Sequence, residues 1–269
     1  MLTFFILAVS TLVSLSVILF TSAPIWLGLL AFPATFLLIV AGFMAVVALA
    51  GAGVDNTKPI ERVSPLCRRC CDGIAGFLCF FGLFRIELRG LEKLPKDQCI
   101  LLVSNHRSAV DPMVMAKTLK DYNVAFVSKL SNMALPALGR MAYGAGFLGI
   151  DRENDRNALK TILTAAGYIK KGICSVCIYP EGTRSRDGKL LEFHAGSFKI
   201  AQKAGAPIAV VCSTGTEKVS GNLRRLRSTR VGMDILELIP AETVKAMGSA
   251  ELAEYSRRLI ADRIAELEG

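Results

Sequence analysis

His106 and Asp111 stand five residues apart in Asn105-His106-Arg107-Ser108-Ala109-Val110-Asp111, a spacing that brings an imidazole and a carboxylate within one turn of chain. A second segment, Tyr179-Pro180-Glu181-Gly182-Thr183-Arg184, sets a glycine two places before a guanidinium. A base with an orienting acid, beside a separate anion clamp, is the equipment for activating a hydroxyl on an anionic substrate. Two readings of the first segment fit its spacing. In one, Asp111 and Pro112 are the N-cap and first residue of a helix, and His106 is a structural loop histidine. In the other, the Asp111 carboxylate accepts a bond from one ring nitrogen and fixes the tautomer, which leaves the second nitrogen free to take a proton. Asp111 cannot serve both ends fully, so orienting His106 weakens the cap. Ser108 is no nucleophile, because the glycine framing of a nucleophile elbow is missing around it. In the second segment Gly182 permits a tight backbone approach and Arg184 offers a planar fork suited to phosphate. A solvated loop explains the same tetrapeptide equally well.

These loops need rigid elements to position them. After residue 83 the chain alternates short apolar runs with helical patterns. Strand-like runs are Phe84–Leu88, Cys99–Ser104, Val124–Ser128, Gly146–Ile150, Cys174–Tyr179, Ile208–Ser213 and Gly232–Ile239. Helical patterns cover Pro112–Lys120, Leu135–Tyr143, Asp155–Lys171, Gly196–Ala204 and Ala250–Leu267. Such alternation predicts an α/β fold, with a largely parallel sheet of about seven strands flanked by helices. Ligands then bind beyond the carboxyl ends of the strands, where both segments lie.

No Asp, Glu, Lys or Arg precedes Asp55. Leu2–Phe20 and Ile25–Ala50 are uncharged runs, each near the ~20 residues that cross a bilayer, with Thr21 to Pro24 as a turn between them. Two transmembrane helices are expected; Pro33 leaves room for one span plus a re-entrant helix. The positive n-region of a cleaved signal peptide is missing. Lys58, Arg62, Arg68 and Arg69 follow, so the positive-inside rule puts the remainder on the cytoplasmic face of the cell membrane. Ser64 to Phe84 mixes Arg68, Arg69 and Asp72 with Phe77, Leu78, Phe80, Phe81, Leu83 and Phe84, and reads either as an interfacial amphipathic helix or as a helix packed on the domain. The expected organisation is therefore an anchor over residues 1–54, a linker with an amphipathic helix over 55–87, and an α/β domain over 88–269.

A formal net charge of +9 favours anionic partners. Membrane lipid fits better than nucleic acid, since the cations are scattered and no aromatic-interleaved basic stripe appears. Among the eight cysteines, Cys174 and Cys177 sit three apart in a strand and face opposite ways, so no metal site is assigned. Unpaired thiols suit a reducing compartment. His194 reads as structural. The run Arg224 to Arg230 reads as a solvated loop before the last strand, or as a contact for headgroups or an acidic acyl carrier.

The ordered segments resemble four blocks of the glycerolipid acyltransferases, the family that includes the bacterial 1-acylglycerol-3-phosphate O-acyltransferases. His106 and Asp111 match its H-x-x-x-x-D block. Gly146 to Arg152 is similar to its strand ending in Asp-Arg. Tyr179 to Ser185 matches F-P-E-G-T-R-S, with tyrosine in the first place, and Ala206 to Val211 is similar to its proline-opened strand. Lys129, Pro136 and Gly139 resemble the stretch between the first two blocks, at inexact spacing. The resemblance implies acyl transfer from a thioester, acyl-CoA or acyl carrier protein, to the sn-2 hydroxyl of lysophosphatidate, giving phosphatidate with no cofactor. It implies His106 as base, Asp111 as its orienter, and a phosphate site from Arg184 with Lys129 and Arg152. Glu181, Gly182 and Thr183 would shape the acceptor pocket. Another lysophospholipid, an amino-lipid or glycerol-3-phosphate as acceptor, or a non-catalytic lipid-phosphate binder, are the competing readings. The oligomeric state is not legible.

Overall fold

The computed structural model describes residues 2–185 and 189–268. Helices α1 (Leu2–Phe20) and α2 (Ile25–Ala52) form an apolar hairpin in which Gly28 lies directly against Ile18. Both are long and apolar enough to cross a membrane, and only 22% and 11% of their apolar windows are buried, so neither is the core helix of a globular domain. Pro33 sits inside α2 without ending it. In an apolar helix beside a neighbour, the carbonyl it leaves unpaired is tolerated.

Helix α3 (Pro65–Phe81) starts where the Ser64 hydroxyl accepts the Cys67 N–H, with Pro65 in the first turn. It buries a thin stripe of Cys67, Cys70, Cys71, Ala75 and Cys79. Leu66, Leu78, Phe80 and Phe81 remain exposed. The stretch therefore packs on the domain and still presents an apolar outer face. Arg68, counted above among the flanking cations, instead braces the domain: its guanidinium donates to the carbonyls of Val124 at 2.7 Å and Ala145 at 2.8 Å.

Strands β1 (Phe84–Arg89), β2 (Leu101–Ser104), β3 (Val124–Lys129), β4 (Leu148–Ile150), β5 (Ser175–Ile178), β6 (Ile208–Thr214) and β7 (Thr229–Ile239) make one sheet in the order β1-β7-β6-β2-β5-β3-β4. Neighbours from β6 through β4 run parallel; β7 is antiparallel to β6 and carries β1 parallel to itself. The largely parallel seven-stranded sheet expected from the alternation is thus the one observed.

The helices between strands are α4 (Asp111–Thr118), α5 (Leu130–Met133), α6 (Leu138–Gly144), α7 (Asp155–Lys170), α8 (Lys199–Ala204) and α9 (Val219–Arg224), and α10 (Ala241–Ala246) and α11 (Ser249–Glu268) follow the last strand. The helical pattern that opens at Leu135 begins only at Leu138, because Ala137 takes a positive φ of 59° directly after Pro136. Alternate strand residues feed two cores. Leu101, Val103, Val176 and Ile178 pack with Ile162, Ala165 and Ile169 of α7 and with α8 and α11. Ile100, Leu102, Phe126 and Cys177 pack with α3 and α4 on the other face. Cys174 and Cys177 accordingly lie on opposite faces. A third cluster ties the end of α2 to the domain through Val47, Cys67, Cys70, Cys71, Met141 and Ala145.

Candidate active site

Four adjacent parallel strands, β2, β5, β3 and β4, deliver every residue singled out above to one edge of the sheet. The loop after β2 holds His106 and the loop after β5 holds Glu181 to Arg184. Lys129 ends β3, and Arg152 follows β4 by two residues.

Asp111 decides between the two readings of its segment. Val110 is the N-cap of α4, and no side chain caps the helix. The Asp111 carboxylate turns back into the loop instead. Its Oδ2 accepts three bonds: from His106 Nδ1 at 2.8 Å, from the Arg107 N–H at 2.8 Å and from the Ser108 N–H at 2.7 Å. The Asp111 side chain is fully buried and that of His106 is 17% exposed. An ionised carboxylate here requires the Nδ1–H tautomer, leaving Nε2 as a proton acceptor. Tyr179 lies flat against the imidazole, ring centroids 4.4 Å apart at 23°, and fixes the ring plane.

Glu181 holds the two loops together. Its buried Oε1 accepts the His106 N–H at 2.6 Å and Oε2 accepts the Leu191 N–H at 3.0 Å. Burial pushes its carboxyl above the usual carboxylate range, against the pull of those two donors. The Ser185 N–H reaches the His106 carbonyl at 3.1 Å, so the chain carrying exposed Arg184 folds back beside the histidine. Gly182 adopts φ +68°, and a Cβ there would meet the His194 ring at 3.0 Å. A side chain at 182 would be strained and crowded at once.

The structure therefore brings His106, Asp111 and Glu181 into contact, with Gly182, Thr183 and Arg184 in the adjoining loop. Lys129 and Arg152, both exposed, stand two and three strand positions from β2, roughly 10 and 14 Å along the edge at ~4.8 Å per strand. Two residues given no site role from sequence also belong to the neighbourhood. Asn105 is buried and exchanges two 2.8 Å bonds with the Ser213 main chain, which locks the ends of β2 and β6 at the site. His194 covers the Gly182 turn and donates its N–H to the Pro180 carbonyl at 2.9 Å. The strand order that places both loops together carries no local sequence signal.

An acyltransferase family model matches residues 85–214, a span that includes all of these residues. The chain is 36% identical over 191 residues to the 1-acyl-sn-glycerol-3-phosphate acyltransferase of Salmonella typhimurium, covering 70% of this chain and 76% of the relative. The chain belongs to the acyltransferase family. It is 37% identical over 192 residues to the acyltransferase of the same name from Escherichia coli (strain K12), again covering 70% of this chain and 76% of that one. The fold of this acyltransferase is also that of the crystal structure of the 1-acyl-sn-glycerophosphate (LPA) acyltransferase PlsC from Thermotoga maritima. That likeness has a TM-score of 0.60 at 21% identity and covers 100% of this chain and 98% of the other.

Proposed function

We propose that this acyltransferase moves an acyl group from a thioester donor, acyl-CoA or acyl carrier protein, to the free sn-2 hydroxyl of 1-acylglycerol-3-phosphate, giving phosphatidate in phospholipid biosynthesis. The observation that carries the reading is the His106–Asp111 pair at 2.8 Å, seated one loop away from Arg184. His106 Nε2 takes the hydroxyl proton as the oxygen attacks the thioester carbonyl. The imidazolium that forms is stabilised by the Asp111 carboxylate. Collapse of the tetrahedral intermediate breaks the C–S bond, and His106 returns the proton to the leaving thiolate. A thioester carbonyl is electrophile enough to need no metal or cofactor. Arg184 binds the acceptor phosphate through paired charge-assisted bonds, with Lys129 and Arg152 further along the edge. Glu181, Gly182 and Thr183 set the shape of the loop that receives the acceptor.

Residues 1–54 act as the anchor and 55–87 join it to the catalytic domain, which sits at the cytoplasmic face of the cell membrane. Support comes from the two exposed apolar helices and from the cations that follow them. The test is to incubate the detergent-purified chain with a panel of lysolipids and both donors, and to identify products by mass. Phosphatidate from lysophosphatidate is the expected result. Acylation of a different lysolipid, with none of lysophosphatidate, would overturn it.

A further inference from the structure

Helix α7 carries two stripes, and the site uses neither. Ile162, Ala165, Ala166 and Ile169 face the core. The opposite stripe lines an open groove of about 430 Å³, closed on its other side by Pro59 and Ile60 of the linker. Leu159 and Leu163 lie one turn apart on its floor, 51% and 48% exposed. Arg156, Lys160 and Lys171 edge it, and among the described residues no acidic side chain lines it. Two exposed leucines between cations form an amphipathic seat. It complements a partner that offers an apolar ridge flanked by carboxylates.

Two features of the fold say what that partner is. First, α7 packs on one face of the sheet, whereas α3, which shares its exposed apolar side with α1 and α2, packs on the other. The groove therefore lies on the opposite side of the sheet from α3, and its cations and apolar floor suit a soluble acidic partner. Second, α7 begins five residues after the carboxyl end of β4. Its first turn, with Arg156, lies on the same sheet edge as His106, three strand positions or roughly 14 Å from β2. A partner held along α7 can thus present a flexible acyl-bearing arm to the catalytic edge.

We propose that the α7 groove docks the acidic helix of a soluble carrier protein that bears the acyl thioester. Leu159 and Leu163 receive the carrier's apolar ridge, and Arg156, Lys160 and Lys171 pair with its carboxylates. This rests on the thioester-donor reading above and adds the surface that selects a protein-borne donor. The same acyl chain delivered on coenzyme A has no use for the groove.

The experiment compares one acyl chain on an acidic acyl carrier protein and on coenzyme A, with lysophosphatidate as acceptor and the full chain in detergent. The variants are Arg156→Glu/Lys160→Glu and Leu163→Ser, each on exposed positions and each checked by thermal melting. The carrier-borne donor should show a KM raised about tenfold or more, the loss of roughly one charged contact. The CoA-borne donor should be unchanged, and only the carrier KM of the native enzyme should rise with salt. Equal effects on both donors, or a native enzyme that accepts CoA-borne chains alone, would overturn the docking site and leave the acyltransferase reading standing. Loss of binding to anionic vesicles in the charge-reversed variant would assign the groove to the bilayer instead. No phosphatidate from either donor would mean that the proposed function itself has failed.

Discussion

Glu181 is buried with two main-chain donors, and burial raises its pKa above the ordinary carboxylate value. Its proton is held more tightly in the folded chain than in the unfolded one. The favourable contribution is thus complete below the unfolded value of 4.5, and is lost as pH rises through the higher folded value. Glu181→Gln removes that titration. The difference in Tm, variant minus native, should grow more positive as pH rises from 4.5 into the raised range, on top of a constant loss from the donor that glutamine cannot accept. A flat difference would mean that burial does not perturb Glu181. Arg184 is tested by Arg184→Lys, which keeps the charge and loses the fork. The acceptor KM should rise about tenfold to a hundredfold, the equivalent of roughly 1.5–3 kcal/mol, with the donor KM unmoved. A rise in donor KM alone would shift the acceptor clamp to Lys129 and Arg152. The His106–Asp111 pair was legible because its five-residue spacing is local. The bond from the His106 N–H to Glu181 was not, since it spans 75 residues and exists only because β2 and β5 are neighbours.

Among the elements, all seven strands were legible: the central parallel ones as apolar runs, because a doubly covered parallel strand is apolar on both sides, and the edge strand β1 as an alternation of Phe84, Ile86 and Leu88 with Arg85 and Glu87. Their order was not, and neither was the reversal of β7, since pairing between distant segments leaves no local pattern. The four-residue α5 and six-residue α10 are too short for a helical period to show. Contact between the anchor and the domain was also hidden. The uncharged run that reads as lipid-facing buries Val47 completely in a cluster with Cys67, Cys70 and Met141. At Gly51 a Cβ would stand 2.9 Å from the Ala137 carbonyl and 3.0 Å from the Met141 N, both of them backbone atoms of the α6 turn. Gly51→Ala should therefore push α2 off α6 and destabilise the chain by about 1–3 kcal/mol. Thermal melting in detergent checks this, and an unchanged Tm would show that α2 is not docked there. Gly42, with open space around its Cβ position, is the matched control for the same substitution.

At the scale of the molecule, a basic α/β domain is fastened to an apolar hairpin, with the exposed phenylalanines of α3 beside it. A chain held in this way should stay with membranes through high-salt and alkaline washes and leave only in detergent, because salt screens charges but not apolar burial. Release by salt alone would reduce α1 and α2 to a packed hairpin and leave attachment to the cations. Restricting the chain to a lipid surface makes sense only if the edge of the sheet performs chemistry on a lipid there, and that rests on His106. The most direct measurement is the rate of phosphatidate formation by purified His106→Ala beside the native chain, at equal folded concentration and equal membrane content. Removing the base should lower turnover by ~10²–10⁴ while the thermal melt and membrane attachment remain native. Turnover within a few-fold of native in that variant would contradict the account.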